Sequence, residues 1–219
     1  MGQSVTRRET PSDRIEDNQM KQWCRVLFLV SIAIAIGSIE FDFRVDDSGA
    51  LAYAQDRDST YIAPFVPTPQ EVVDRMLELA QVDQKDVLYD LGSGDGRIVI
   101  TAAKRYGAKA VGFEIDHALV TRSQRNIQEA GVEALAEIRE EDVRTVDLSP
   151  ASVLTMYLYP GANLRLRAAI MRQLKPGSRV ISHDFNMGDW KPDLVERMTD
   201  SAGLVRTIYL WRIADRNVR

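Results

Sequence analysis

A glycine-rich turn at residues 92–96 constrains the fold more than any other feature of the chain. It follows an apolar run, Val87–Leu91, and precedes residues 97–106, whose apolar spacing predicts a helix. Glycines at alternate positions permit a tight turn, and a ligand can approach the backbone closely because no Cβ is in the way. The following helix directs free N–H groups and a partial positive charge at the turn. The pattern predicts a buried strand, a turn and a helix of an α/β domain.

An acid stands in front of these glycines. Asp90 lies two residues before the first glycine, and the glycines are spaced G-x-G-x-G. The dinucleotide fingerprint is spaced G-x-G-x-x-G. A carboxylate at this position suits a cationic amine, or the N–H groups of the turn, better than a phosphate. The glycines by themselves leave two interpretations open, a structural turn and a ligand cradle.

Two further acids favour the ligand cradle. Glu114 ends the next predicted strand, about 20 residues beyond the turn, where dinucleotide folds place the carboxylate that binds ribose hydroxyls. Asp142 follows a third predicted strand, residues 136–140. Asp142 alone is typical of a solvated loop. In register with Asp90 and Glu114, it becomes the third acid of one crevice.

From Val87 onward, predicted strands and helices alternate at short intervals. Helices are expected at 97–106, 118–130 and 162–174, with further strands near Val153 and at 178–182. This alternation implies a mostly parallel sheet covered by helices on both faces. Near the end of the chain, a strand at 194–198, a short turn and a strand at 205–213 predict a closing antiparallel hairpin.

A proline-rich segment precedes the first helix of the domain. Its three prolines, Pro64, Pro67 and Pro69, hold residues 61–69 extended. Thr68 and Glu71 have the spacing of a capping box at the start of the next helix. The segment is expected to lie across a bound cofactor and to line the acceptor's entrance; a simple lead-in to the helix is the alternative.

Composition narrows the function further. The 219 residues are 45% hydrophobic with a net charge of −4, enough for one sizeable α/β domain plus additional sequence. The acidity argues against a nucleic-acid partner, which usually needs a basic face. Cys24 is the only cysteine, and His117 and His183 form no metal-spaced pair. We therefore expect neither an intrachain disulfide framework nor a metal site.

Four segments together resemble class I S-adenosylmethionine (SAM) methyltransferases: Pro64–Pro69, Asp90–Gly96, Lys175–Phe185 and Trp190. Among these enzymes, the chain is similar to archaeal broad-specificity protein lysine methyltransferases and to mitochondrial lysine methyltransferases that act on a component of ATP synthase. The resemblance covers about residues 61–213. It implies a Rossmann-like, seven-stranded sheet with a C-terminal antiparallel hairpin, SAM as cofactor and a protein lysine as acceptor.

The resemblance also predicts the roles of individual residues. The predicted cofactor-binding residues are Thr68, Asp90, Gly92, Ser93, Gly94, Asp95, Gly96, Glu114, Asp142 and Val143. The predicted catalytic residues are Tyr157, Tyr159 and Asp184, and the predicted substrate-binding residues are Pro67, Pro160, His183 and Trp190.

These residues suit a lysine acceptor, which must lose its proton before it attacks. The aromatic side chains Tyr157, Tyr159 and Trp190 are expected to desolvate the amine and so lower its pKa. Asp184 is expected to orient the amine or to take a proton. Core packing is the alternative for each aromatic, and a structural role is the alternative for His183. The sequence departs from its relatives at residues 157–160, so the acceptor site is expected to differ.

The start of the chain is a different kind of sequence. We divide it into a polar tail at 1–22, an apolar segment with an acidic linker at 23–59, and the methyltransferase domain at 60–219. The uncharged run at 26–39 is shorter than the roughly 20 residues that cross a bilayer, and it is typical of a signal peptide or short anchor. A buried helix is the alternative. The flanking charges favour export of the domain, whereas the supply of SAM favours the cytoplasm.

Two other functions are compatible with the same cofactor site. One is a small-molecule methyltransferase, and the other is a membrane-tethered SAM-binding module without catalysis. The chain lacks the Asn/Asp-Pro-Pro-aromatic run of base and glutamine methylases, and it has no long lid insertion. A protein substrate is therefore the expected partner, with the oligomeric state left open.

Overall fold

The computed structural model describes residues 65–215, which form one sheet flanked by helices. The strands are β1 (Val87–Leu91), β2 (Lys109–Glu114), β3 (Ala136–Glu140), β4 (Val153–Met156), β5 (Arg179–His183), β6 (Leu194–Thr199) and β7 (Val205–Arg212). The helices are α1 (Gln70–Leu79), α2 (Arg97–Tyr106), α3 (His117–Ala130) and α4 (Pro160–Gln173). The predictions for the polar tail, the apolar run and the linker at residues 1–59 lie outside the described residues.

The strand order is β3-β2-β1-β4-β5-β7-β6, which confirms the predicted seven-stranded sheet. Strands β1 to β5 pair in parallel, while β7 runs antiparallel to both β5 and β6. The order reverses direction between β1 and β4. In sheets of this kind, ligands bind in the crevice outside the carboxyl ends of the strands at such a reversal. The predicted cofactor turn follows β1 and therefore opens onto this crevice.

Two apolar clusters of the described residues bury the sheet. In one cluster, residues of α1, α2 and α3, such as Val72, Met76 and Ile98, pack against residues of the sheet. The other joins α4 and the segment before β4 to Trp211, which is fully buried. Strand β4 is buried along its whole length, as expected for a parallel strand covered on both faces. Within residues 65–215, no helix has the length and apolar character needed to cross a bilayer.

The predicted capping box at the start of α1 is wrong. Pro69 occupies the N-cap position, and no side chain caps the helix. The Thr68 hydroxyl instead lies 3.2 Å from Nδ1 of His183, and Glu71 accepts a 2.7 Å hydrogen bond from the N–H of Ser201. The local pattern assigns Thr68 and Glu71 to the helix start, but both side chains instead contact residues far away in the sequence.

Candidate functional site

The glycine turn is required by both backbone and space. Gly92, Gly94 and Gly96 have φ values of +75°, +55° and +79°, in the left-handed region that favours glycine. A Cβ on Gly94 would lie 2.4 Å from the ring of Phe65, and one on Gly92 would lie 2.8 Å from Leu158. The turn is therefore fixed in shape and covered closely by side chains from two other segments.

A cavity opens above the turn at the carboxyl ends of β1 and β2. One wall is the extended segment Phe65–Thr68, here named the strap. Predicted residues that line the cavity are Pro67, Thr68, Asp90, Gly92, Ser93, Gly94, Asp95, Glu114, Asp142, Val143 and Tyr157. Gly96 does not line it, because it forms the N-cap of α2 and packs against Ser123. The strap belongs to the described part of the predicted proline-rich segment, whose residues 61–64 lie outside the described residues.

Asp90 is a buried acid without a cationic partner in the described residues. It is 2% exposed, and its carboxylate accepts a 2.7 Å hydrogen bond from the Thr155 hydroxyl. The pKa of Asp90 is raised to about 7, mainly by burial; the hydrogen bond from Thr155 opposes the shift, and the nearby charges of Glu114 and Asp95 add to it. A positively charged ligand in the cavity would restore the ionised form of this acid.

Backbone N–H groups fix the carboxylate of Glu114 at the end of β2. One carboxylate oxygen accepts from the N–H of Gly94 at 2.9 Å. The other accepts from Ile115 at 2.8 Å and Asp116 at 3.0 Å. These bonds fix the carboxylate beside the turn, where its remaining lone pairs suit a pair of hydroxyl groups.

Asp142 and Asp95 also line the cavity, but arginines already engage their carboxylates. Arg144 contacts both carboxylate oxygens of Asp142, through Nε at 2.9 and 2.8 Å, and lowers the pKa of this acid. Arg97 grips Asp95 in the same two-point manner, at 2.9 and 2.6 Å. Of Asp90, Asp95 and Asp142, Asp90 is therefore the acid without an arginine partner in the described residues.

Tyr157 is the predicted catalytic aromatic that lines the cavity. Its hydroxyl lies 3.5 Å from Oδ2 of Asp184. Burial raises the pKa of Tyr157, and the charge of Asp184 adds to the shift. Asp184 itself has a left-handed φ of +58° and accepts a 2.8 Å hydrogen bond from the N–H of Thr207 on β7. A polar pair thus stands next to the cofactor cavity.

The other predicted acceptor-side residues do not line this cavity. Tyr159 is 41% exposed, and Pro160 forms the first turn of α4. His183 is fully buried beside Tyr157, and Trp190 packs against Trp211 with ring centroids 5.5 Å apart. Of the three predicted channel aromatics, Tyr157 lines this cavity, whereas Tyr159 and Trp190 lie outside it.

Sequence reasoning missed other residues of the site. Phe65 lines the cavity from the strap, and Phe185 stacks on Tyr157 with ring centroids 6.0 Å apart. Their only sequence signal was their position inside the segments that carry the family resemblance. Residues 65–215 contain no cluster of side chains suited to hold a metal ion.

A family domain and individual relatives both match this chain. The ANTKMT methyltransferase domain matches residues 90–194. The protein-lysine N-methyltransferase of Saccharolobus islandicus (strain REY15A) is 44% identical over 153 residues, which is 69% of this chain and 94% of that protein. The human lysine N-methyltransferase of the ATP synthase c-subunit is 35% identical over 132 residues, 60% of this chain but 56% of that protein. The chain thus spans about half the length of the human relative.

A solved structure gives a match over the same share of the chain. An RNA methyltransferase from Salinibacter ruber, crystallised in complex with S-adenosyl-L-homocysteine, is 54% identical with a TM-score of 0.65. The match covers 69% of this chain and 95% of that one. The two similar proteins therefore differ in the acceptor that their names give, protein lysine in one and RNA in the other.

Proposed function

We propose that this chain, which belongs to the class I SAM-dependent methyltransferases of the ANTKMT and ATP synthase c-subunit lysine methyltransferase family, methylates lysine side chains of a protein substrate. The observation that carries the proposal is the similarity to the archaeal protein-lysine N-methyltransferase, which extends over nearly the whole of that protein.

The cavity supports the assignment of its residues to SAM. The glycine turn lines the cavity, and Phe65 covers Gly94 so closely that a Cβ there would collide with its ring. Asp90 offers a buried carboxylate to a cationic group, and Glu114 offers fixed lone pairs to ribose hydroxyls. Val143, which is buried in the lining, suits the apolar face of adenine beside Asp142. When bound, SAM supplies a methyl group that is already activated on a sulfonium.

The chain's own residues then have to prepare and align the acceptor. A lysine amine has a reference pKa near 10.4 and attacks only in its neutral form. The strap and the ring of Tyr157 exclude water from the cavity's edge, which lowers the pKa of an entering amine by desolvation. We assign Asp184 to accept a hydrogen bond from this amine and so direct its lone pair in line with the methyl group. Tyr159 and Trp190 are assigned to the approach of the protein substrate.

A labelling experiment tests the proposal. The full chain is incubated with methyl-labelled SAM and a cell lysate, and labelled proteins are digested and analysed for methyl-lysine by mass spectrometry. Label in lysine that is lost in Asp90→Ala supports the proposal. The exposed Glu129→Ala is the matched control and should label as the wild type does. Label confined to small metabolites indicates a small-molecule methyltransferase, and SAM binding without any transfer indicates a non-catalytic module.

Methylation of RNA is the second candidate, because the Salinibacter ruber protein is so similar. The net charge of −4 weighs against it, since RNA backbones are bound mainly by clustered Lys and Arg. Splitting each labelled sample between protease and ribonuclease decides between the two acceptors. Label that ribonuclease releases and protease does not would replace the lysine proposal.

The apolar run at 26–39 supports a separate proposal, that the chain associates with a membrane while its domain stays in the cytoplasm, where SAM is made. Fractionation of cells that express the full chain tests this. The domain should sediment with membranes and should resist protease added outside the cells; a cleaved, exported product contradicts it.

A further inference from the structure

His183 connects the cofactor side of the site to the acceptor side. Its ring is fully buried and does not line the cavity. Nδ1 lies 3.2 Å from the hydroxyl of Thr68, the last residue of the strap. Nε2 lies 3.3 Å from Oδ2 of Asp184, and the ring packs on Tyr157 with centroids 4.0 Å apart. Each of these neighbours belongs to a wall of the site or is the acid proposed to orient the amine.

The surroundings of His183 select one protonation state. Because a carboxylate offers only lone pairs, the charge of Asp184 favours the tautomer that carries its proton on Nε2, the nitrogen that faces this acid. Nδ1 then accepts from the Thr68 hydroxyl. The opposite tautomer would direct a lone pair of Nε2 at the Asp184 carboxylate 3.3 Å away; the contact does not have hydrogen-bond geometry, so the preference for Nε2–H is electrostatic. Burial also lowers the pKa of His183 to about 4, which Asp184 opposes and Arg206 reinforces, so the ring is neutral.

The contact to His183 is one of two that fix Thr68. Nη1 of Arg97 donates a 2.8 Å hydrogen bond to the Thr68 carbonyl, while the same guanidinium grips Asp95 beside the glycine turn. Arg97 therefore links the strap to the glycine turn, and His183 links it to β5. Since Phe65 of the strap covers Gly94, movement of Thr68 would change the cavity at the cofactor's position.

We propose that His183 is a positioning residue for methyl transfer: a neutral imidazole that accepts from Thr68 through Nδ1 and directs Nε2–H at Asp184, tying the strap to the acceptor-side acid. The proposal rests on the methyltransferase function proposed above. It assigns His183 no contact with substrate, which distinguishes it from the substrate-binding role expected from the sequence.

Nitrogen NMR of the full chain labelled with 15N-histidine tests the protonation state directly. The chain contains two histidines, so His117→Gln assigns both spectra. His117 is the internal reference, because its hydrogen bond to Glu140 raises its pKa and the exposed ring titrates. His183 faces Asp184, Arg206, Asp200 and Tyr157. We expect it to remain a neutral Nε2–H tautomer between about pH 5.5 and 8.5. An Nδ1–H tautomer, or an imidazolium near pH 6.5, overturns the proposal.

Substitutions at Thr68 test the positioning role without altering the buried ring. Thr68→Val removes the hydroxyl while keeping the shape, and Thr68→Ser keeps the hydroxyl. Because small misplacements in an active site cost large factors, Thr68→Val should lower kcat by about 10- to 100-fold and weaken SAM binding in calorimetry. Thr68→Ser should stay within about threefold of the wild type. His183→Asn retains an acceptor near the Nδ1 position, so it should preserve SAM affinity better than it preserves kcat.

Melting curves separate positioning from simple destabilisation. A Thr68→Val protein that melts as the wild type does, with unchanged kcat and SAM affinity, contradicts the positioning role. The proposed function can fail independently: if the wild type labels no protein, the NMR spectrum and the SAM titration still decide the role of His183. If the wild type labels lysine and Thr68→Val labels it equally well, the positioning role of His183 is refuted while the proposed lysine methylation stands.

Discussion

The buried acid Asp90 predicts that cofactor binding and fold stability oppose each other. Its pKa is raised from 3.8 to about 7. The folded chain therefore binds this proton more tightly than the unfolded chain. The associated stability is fully present below pH 3.8 and is lost as the pH rises through about 7. A shift of this size corresponds to about 4 kcal/mol of stability lost above pH 7 in the absence of ligand.

Asp90→Asn removes this titration while keeping the volume and an acceptor for the Thr155 hydroxyl. The new amide N–H₂ lacks an acceptor in this site, which costs about 1–3 kcal/mol at every pH. Between pH 5 and 8, the wild type should nevertheless lose about 2.5 kcal/mol of unfolding free energy that Asp90→Asn keeps. For a domain of this size, that is roughly 5–10 °C in relative melting temperature.

Thermal melts of the full chain by circular dichroism, without ligand and from pH 5 to 8, measure this difference. The exposed Glu129→Gln is the matched control, and its melting temperature should follow that of the wild type at each pH. With saturating SAM, the wild type should melt at a higher temperature than Asp90→Asn. SAM stabilises the folded wild type by binding it, and it binds Asp90→Asn too weakly to stabilise that variant much. A gap between Asp90→Asn and wild type that does not change with pH would refute the reasoning, since it would mean that water still reaches the carboxylate.

The remaining predictions concern the same cavity. SAM affinity of the wild type should rise roughly tenfold from pH 6 to 8, as Asp90 ionises, and should stay flat in Asp90→Asn; calorimetry at each pH checks this. Gly94→Ala should abolish measurable SAM binding and lower the unfolding free energy by about 1–3 kcal/mol, because it strains φ and collides with Phe65; denaturant melts and SAM titration report both effects. Asp142→Asn should weaken SAM binding by about tenfold, measured in the same titration, and an unchanged affinity would remove Asp142 from the adenine site.

The parts of the fold that depend on local sequence could be predicted. The run before the turn, apolar except for Asp90, predicts β1 because a buried parallel strand is nearly continuous in apolar residues, and the predicted bounds of α2 match the structure. The hairpin of β6 and β7 also follows from two strand-like runs around a Ser-Ala-Gly turn. In each case the signal lies within the element itself.

Contacts across the chain could not be predicted in this way. Thr68 and Glu71 fit a local capping pattern, but their partners are 115 and 130 residues away. A helix cap yields about 1 kcal/mol, so a buried histidine that needs a donor competes with it successfully. The family resemblance predicts an acceptor-side role for Trp190, but its packing on Trp211 depends on where β7 places that residue. Composition alone contains no information on this pairing.

The three acids that the sequence singled out occupy one cavity, yet their electrostatic states differ, and the difference determines which ligand is favoured. Glu114 is satisfied by backbone donors and Asp142 by Arg144, so a neutral nucleoside could meet both without a change of charge. Asp90 is different, because its burial penalises the ionised form until a cation enters. Asp90 therefore favours the binding of ligands with a cationic amine or sulfonium over the binding of neutral ligands. The glycine turn supplies the shape of the site, and this one carboxylate supplies its preference for charge.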